Sequence, residues 1–467
     1  MGQEKKAAIK LLSYQPLSKM MMKSIIQCLL IFIIQLPAQT DTTFYHPFID
    51  SLIQRVDSTN VSQHISNLSW ADGNQSRVTF TSGNIWAGNY IKQTLESFPG
   101  LTSVEFDTFF ISGAPFPYNS FPLVNVVATL NGNNPSLPHY IIAGHFDASA
   151  SLDTGINWST AWSTVPAQGA DDNASGVAII LEIARILSDP QYQFNNDITI
   201  KFIAFGAEES NPAVPGLNHQ GSSHYTTVAY NQGDQIAGAY IVDMVGFTGT
   251  NYHHFNIVSN SNSSVLGEDM LQVKQIYQID LHSNSTPFPY ATYSDHDRFW
   301  ARGYRAILLI ENAPPWNNNL PWYIENPYYH TREDTPERVN LPLVTKIAKL
   351  TLGTVACLTS PSLTELAGNE PAELPEQFRL LPNYPNPFNT TTTIPYFLYT
   401  ESMIDLSVYN LQGQKVATPF QGRQSAGQHE VHWQAVDAKG AELPSGMYLL
   451  RLKIQNRIES RKIILIK

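Results

Sequence analysis

From Phe44 to about Ser360, short apolar runs alternate with stretches in which apolar residues recur at helical spacing. That alternation predicts an α/β domain, the strands of one sheet joined by crossover helices. His139–Ala143 (HYIIA), Asp197–Phe205 (DITIKFIAF), Gly238–Asp243 (GAYIVD) and Ala306–Ile310 (AILLI) are the predicted strands. Ala174–Leu187 places Val177, Ile180, Leu181, Ala184 and Leu187 on one face, which predicts an amphipathic helix.

After Ser360 the pattern breaks. Residues 361–380 are rich in Pro, Glu and Ser with little periodicity and read as a linker. From Leu381 to Lys467 six or seven short alternating strands follow, clearest at Ile404-Leu406-Val408, Val431-Trp433 and Tyr448-Leu450-Leu452. Turn signals at Leu411-Gln412-Gly413 and Pro444-Ser445-Gly446 separate them, so this region predicts a small β-sandwich.

The other end reads as an export signal. Lys19 and Lys23 precede an apolar run from Ile25 to Leu36, and Leu36-Pro37-Ala38 offers a small residue for cleavage. Residues 1–38 are therefore expected to be an upstream extension plus signal peptide, with Met20, Met21 and Met22 as alternative starts. The mature chain is expected to begin near Gln39, leaving residues 39–360 as the main domain. The run is too short to span a bilayer, which takes roughly 20 residues. No later stretch reads as apolar enough to cross one.

Composition narrows the partners. Of 467 residues, 28 are Lys or Arg and 39 Asp or Glu, a formal charge of −11. No long basic run appears, which argues against nucleic acid. Only two cysteines occur, Cys28 within the expected signal and Cys357, so a structural thiolate zinc site is excluded.

The chemistry gathers just after predicted strands. Gly144-His145-Phe146-Asp147, Gly169-Ala170-Asp171-Asp172-Asn173 and Gly206-Ala207-Glu208-Glu209-Ser210 are polar segments, joined by Asp243 and by His330 in Tyr328-Tyr329-His330-Thr331. Ligands of open α/β sheets collect at the carboxyl ends of strands. His145, Glu208, Glu209 and Asp243 would share that edge. Imidazole and carboxylate are ligands of catalytic zinc, and paired metals need a bridging carboxylate. Adjacent Glu208 and Glu209 suit a division into base and ligand.

The ordered segments GHFD, GADDNASG, AEES, VDM and YHT resemble those of the co-catalytic di-zinc aminopeptidases, the clan of bacterial leucyl aminopeptidase and glutamate carboxypeptidase. The resemblance covers about Asn125 to Asp334. It implies a mixed, largely parallel sheet flanked by helices and two zinc ions, although cobalt or manganese suit similar ligands. It also implies that Asp171 bridges the ions, that Glu209 and His330 complete one site, and that His145 and Asp243 complete the other. Glu208 is then the general base for a metal-bridged hydroxide, and Asp147 orients His145 from behind. Asp172 is expected to support the site or cap the following helix. Met244 and Tyr329 are expected as pocket walls, and Asp295 of Ser294-Asp295-His296-Asp297 as a substrate contact.

One loop departs from the short family pattern. Twenty-three residues between Asp147 and Asp171 contain Trp158 and Trp162 and are expected to line or cover the cleft. Asn317–Tyr323 is a second aromatic loop near His330. His219, His224, His253, His254 and His282 lack metal-type spacing and are expected to be surface or hydrogen-bonded structure, and the many tyrosines to be packing.

Leu381–Lys467, with LPNYPNPFNTTTTIPYFL, VYNLQGQKVA and LPSGMYLLRL, resembles the sorting domain of type nine secretion substrates. It implies export through the periplasm to a secreted or cell-surface location, with the type nine machinery as partner. The leading expectation is a secreted zinc aminopeptidase acting on peptide N-termini. A single-zinc enzyme like glutaminyl cyclase, an acidic-peptide carboxypeptidase and a non-catalytic surface binding protein of the same fold are the alternatives. Metalloproteases of the His-Glu-x-x-His kind and serine hydrolases are excluded by lack of their motifs.

Overall fold

The structure, a computed structural model, describes residues 45–467 apart from 71–72, 74–75, 250–251, 312–324, 361–377, 399–400, 411–413, 426, 438–439 and 455–456. The expected signal, Cys28, most of the linker, the turn at 411–413 and the 317–323 loop lie outside the described residues. The chain divides into two compact units at Leu363/Thr364.

Among the described residues the first unit holds eight strands: β1 (Ser103–Phe109), β2 (Leu123–Leu130), β3 (His139–His145), β4 (Ile200–Phe205), β5 (Ile236–Val242), β6 (His254–Ser259), β7 (His282–Pro287) and β8 (Ala306–Ile310). They form one sheet in the order β1-β2-β4-β3-β5-β8-β6-β7. The central four, β4-β3-β5-β8, are mutually parallel, while β1, β2 and β6 pair antiparallel with neighbours toward the edges. All seven residues of β3 are buried, as a strand covered on both faces requires. The mixed, largely parallel sheet is the architecture expected from the sequence.

Among the described residues, eight helices of six residues or more flank it: α1 (Pro47–Ile53), α2 (Ser58–Trp70), α3 (Ser82–Glu96), α4 (Gly176–Ser188), α5 (Gln220–Gln232), α6 (Ser264–Ile276), α7 (His296–Ala301) and α8 (Leu341–Thr359). The expected amphipathic helix is α4, but it is not amphipathic in place. Every residue of α4 except Arg185 is buried, because α2, α8 and β3 surround it. Its one buried acid, Glu182, is answered by the amide of Asp57 and by Arg185. Each fully buried Ile or Leu there contributes roughly 1.5–3 kcal/mol.

Helix α8 corrects another expectation. Its 19 residues, with a mean hydropathy of 1.5 in their most apolar window, are long and apolar enough to cross a membrane. They are instead the wall of the core, with Leu343, Val344, Ile347, Leu350, Val355 and Leu358 buried. A helix buried on most faces carries the same signature as a membrane span.

Among the described residues the second unit has seven strands in two antiparallel sheets. β9 (Phe378–Leu380), β10 (Thr391–Leu398) and β13 (Gly427–Gln434) form one; β11 (Ser402–Tyr409), β12 (Lys415–Gln424), β14 (Gly446–Ile454) and β15 (Arg457–Leu465) form the other. Alternate residues Leu406, Val408, Leu450, Leu452 and Ile463 fill the space between them. Phe378 and Leu380 belong to that core, so the sandwich starts inside the expected linker. A three-residue strand is too short to register as alternation.

Candidate active site

The carboxyl ends of β3, β4 and β5 deliver His145, the Gly206–Glu209 loop and Asp243 to one edge of the sheet. The turn 170–175 before α4 approaches from one side and His330 from the other. Ala207, Met244 and His330 hold φ of 54°, 49° and 51°, a left-handed conformation uncommon for non-glycine residues. A cavity of about 140 Å³ opens there, lined among others by His145, Asp172, Glu208, Glu209, Asp243 and His330. Met244 and Tyr329 also line it, where the sequence placed them, together with Tyr293, Asn218 and His219.

The two adjacent aspartates exchange their expected places. Asp172, not Asp171, lies between the histidines, with Oδ1 3.2 Å from His145 Nε2 and Oδ2 3.0 Å from His330 Nε2. Two donor sets result, His145/Asp172/Asp243 and Asp172/Glu209/His330, and they share Asp172. Asp171 turns away: its oxygens accept from Gly246 N (2.6 Å) and Asn326 Nδ2 (3.0 Å). It thus ties the turn to the chain following β5 and to the approach of His330. Asp334, which the sequence did not single out, accepts from the amides of both Asp171 (2.9 Å) and Asp172 (3.0 Å).

The expectation for Asp147 also shifts. His145 Nδ1 lies 3.2 Å from the main-chain carbonyl of Asp147 and 3.6 Å from its carboxylate. The carboxylate instead accepts from the amides of Glu208 and Glu209, 3.0 Å each, and from Thr79 Oγ1 at 2.9 Å. So the backbone of Asp147 orients the histidine, while its side chain fixes the Glu208–Glu209 loop. Asp295 does not line the cavity and is fully buried, which removes it as a substrate contact. Burial, then the charge of Glu208, pushes its carboxyl up to about 7.

The long loop after Asp147 neither lines nor covers the cavity with its tryptophans. Trp158 and Trp162 pack beside Val78, Ala150 and Ala167. The same loop nonetheless serves the site, since Ser151 Oγ lies 3.1 Å from His330 Nδ1 and the amide of Leu152 donates to the His330 carbonyl. Beneath the turn, fully buried Arg77 donates to the carbonyls of Phe146, Leu68, Gln168 and Gly169. Burial lowers its guanidinium to about 10, opposed by Asp334 and Asp147.

These residues fit a metal centre. Four carboxylates and three histidines line the cavity, and all four carboxylates are nearly excluded from water. Glu209 Oε1 sits 2.8 Å from His330 Nε2 without hydrogen-bond geometry, and both belong to one donor set with Asp172. Zinc ligands at roughly 2.0–2.1 Å around a tetrahedron stand about 3.3 Å apart, close to the separations here. Without a cation, burial raises Glu209 to about 8, while the two histidines outweigh burial and hold Asp172 well below the usual carboxylate range. Burial opposes charge at both histidines, but Asp243, Glu208, Asp147 and Asp172 together outweigh it at His145, as Glu209 and Asp172 together do at His330, and both rings are raised well above the ordinary histidine value.

Fold and site together define a zinc-exopeptidase-like domain with a β-sandwich behind it in sequence. Residues 125–355 match Peptidase family M28 and residues 383–467 match the secretion system C-terminal sorting domain. The chain belongs to the M28 peptidases and carries that sorting domain, which directs export to a secreted or surface location. Curated relatives bear the names leucine aminopeptidase, aminopeptidase and zinc metalloprotease. One, a probable leucine aminopeptidase of Trichophyton verrucosum, is 27% identical over 237 residues, covering 50% of this chain and 57% of that protein. This chain therefore spans little more than half of that relative. Among solved structures, the Legionella pneumophila LapA aminopeptidase superposes with a TM-score of 0.53 at 19% identity, over 76% of this chain and 80% of its own. Porphyromonas gingivalis glutaminyl cyclase does so at 0.50 and 18%, over 64% and 97%. Both share the fold.

Proposed function

We propose that the protein is a secreted, zinc-dependent aminopeptidase that reaches the outside through the periplasm and the type nine machinery, and hydrolyses the N-terminal peptide bond of peptides. The observation that carries this reading is the pair of donor sets sharing Asp172, with Glu208 beside them on the cavity wall. Asp172 would bridge two ions, His145 and Asp243 completing one site and Glu209 and His330 the other. Bound there, zinc lowers the pKa of a coordinated water toward about 7 and polarises a carbonyl.

The chain's own residues do the rest. Glu208 takes the proton of the attacking water and returns it to the leaving amine, a transfer typically worth ~10²–10⁴-fold. Its loop is held by the Asp147 carboxylate, so the base starts in place. Tyr329 stacks on the His330 ring at 3.9 Å between centroids, fixing one wall of the pocket. Burial keeps the Tyr329 hydroxyl protonated, so it remains a hydrogen-bond donor.

The test is amino-acid release from paired free-amine and N-acetylated peptides, with and without a chelator. Chelator-sensitive release from the free-amine set alone is expected. Ammonia release with cyclisation of N-terminal glutamine, and no hydrolysis, would overturn the reading in favour of a cyclase.

A further inference from the structure

His219 lies ten residues beyond Glu209, outside every motif, yet it is 2% exposed and stands on the cavity wall. It meets Glu208 at two points. Its amide donates to the Glu208 carbonyl at 2.8 Å, and the pairing continues from Gln220 N to Ala207 O and from Gly221 N to Gly206 O. The approach is tight enough that a Cβ on Gly221 would sit 2.4 Å from the Gly206 carbonyl oxygen. A φ of 51° at His219 then swings the ring back, placing Nε2 3.0 Å from Glu208 Oε1.

The far side of the ring is held as well. Nδ1 lies 3.3 Å from Asp297 Oδ1 and 3.2 Å from Arg298 Nη2, and Arg298 Nε is 3.0 Å from the same aspartate. Asn218 Nδ2 stands 3.3 Å from Nε2, and its amide can present oxygen there instead by a flip. His219 precedes α5, but its side chain caps no helix amide, so helix capping does not explain the ring's placement. Arg298 Nη2 can only donate to Nδ1, which leaves the proton of the neutral ring on Nε2, facing Glu208.

We propose that His219 is a positioning residue for the general base: set against Asp297 and Arg298, it fixes Oε1 of Glu208 and leaves Oε2 to exchange the proton. The inference rests on the aminopeptidase reading of Glu208 and adds the group that sets its orientation. A carboxylate free to rotate would spend part of its time misaligned, and small misplacements at a reacting centre are costly.

Zinc-loaded wild type, His219→Leu and His219→Gln are compared for kcat, KM, zinc content and thermal midpoint, with a crystal structure of the Leu variant. Gln can present its amide near the position of Nε2; Leu cannot donate. In the Leu variant kcat is expected to fall on the order of 10–100-fold, the range typical of groups that orient a metal site's chemistry. KM, zinc content and midpoint should hold, and Gln should recover most of the loss. A Leu variant with wild-type kcat, or a Gln variant no better than Leu, overturns the proposal. Should the Leu variant not fold, Asp297→Asn replaces it, expected to lower kcat at constant zinc content; unchanged kcat overturns the proposal. Inactive wild type overturns the aminopeptidase reading instead. The crystal structure then decides separately: Glu208 displaced supports positioning, Glu208 unmoved refutes it.

Discussion

Ser151 places its hydroxyl 3.1 Å from Nδ1 of His330, so the loop that lengthens this chain between Asp147 and Asp171 reaches round to hold a histidine 179 residues away. The contact fixes which ring nitrogen faces the donor cluster, since Nε2 is then the one beside Asp172 and Glu209. Histidine ligands depend on such a partner for tautomer and orientation.

Ser151→Ala is therefore expected to weaken zinc binding by about 10–100-fold without unfolding the chain. A competition titration against a chromophoric chelator reads this directly. Affinity equal to wild type would mean that the Leu152 amide bond to His330 is sufficient.

The exchange of Asp171 and Asp172 makes a paired prediction. Asp172→Asn removes the one carboxylate common to both donor sets, and zinc content is expected to fall at both sites. Asp171→Asn leaves both sets intact but disturbs the bonds to Gly246 and Asn326. Its expected effect is a lowered unfolding free energy, by about 1–3 kcal/mol, with zinc retained. Metal analysis of the two purified variants separates the roles.

Much of this site was legible because its residues follow strands of a parallel sheet, and the edge they share is fixed by topology. The choice between Asp171 and Asp172 was not. Neighbouring side chains in a turn point apart, and which one enters the cavity depends on backbone angles that begin with Gly169 at φ 55°. His219 escaped notice for a related reason, since its approach to Glu208 comes from a turn. Local spacing carries no trace of either. In the fold, α4 and α8 misled in another way: an apolar stripe or run marks a helix but does not say how many of its faces other elements cover.

Arg77 gives a stability prediction. Its guanidinium joins the carbonyls of Leu68, Phe146, Gln168 and Gly169, thereby locking the two segments that carry Asp147 and Asp172. Arg77→Met is expected to cost about 3–5 kcal/mol, because it leaves buried acceptors and nearby carboxylates without their cation. Urea unfolding of the metal-free proteins measures the difference, and a loss below 1 kcal/mol would show that the segments hold without it.

Acid should destabilise the peptidase unit through His296. The ring is fully buried, and Nε2 donates to the Ala291 carbonyl at 2.7 Å. Burial lowers its pKa from 6.5 to about 4 despite that bond. A folded pKa below the unfolded one means that the unfolded chain binds the proton first. The contribution of the neutral ring is thus complete above pH 6.5, shrinks as pH falls, and is gone near pH 4. The shift corresponds to roughly 3 kcal/mol. His296→Gln can keep a donor toward Ala291 and cannot titrate, so its unfolding free energy should fall less between pH 7.5 and 4.5 than that of wild type. Both are measured metal-free in urea, which keeps zinc release out of the comparison. Parallel losses in the two proteins would move the acid sensitivity to other groups, with His139, also lowered to about 4 by burial, the next to replace.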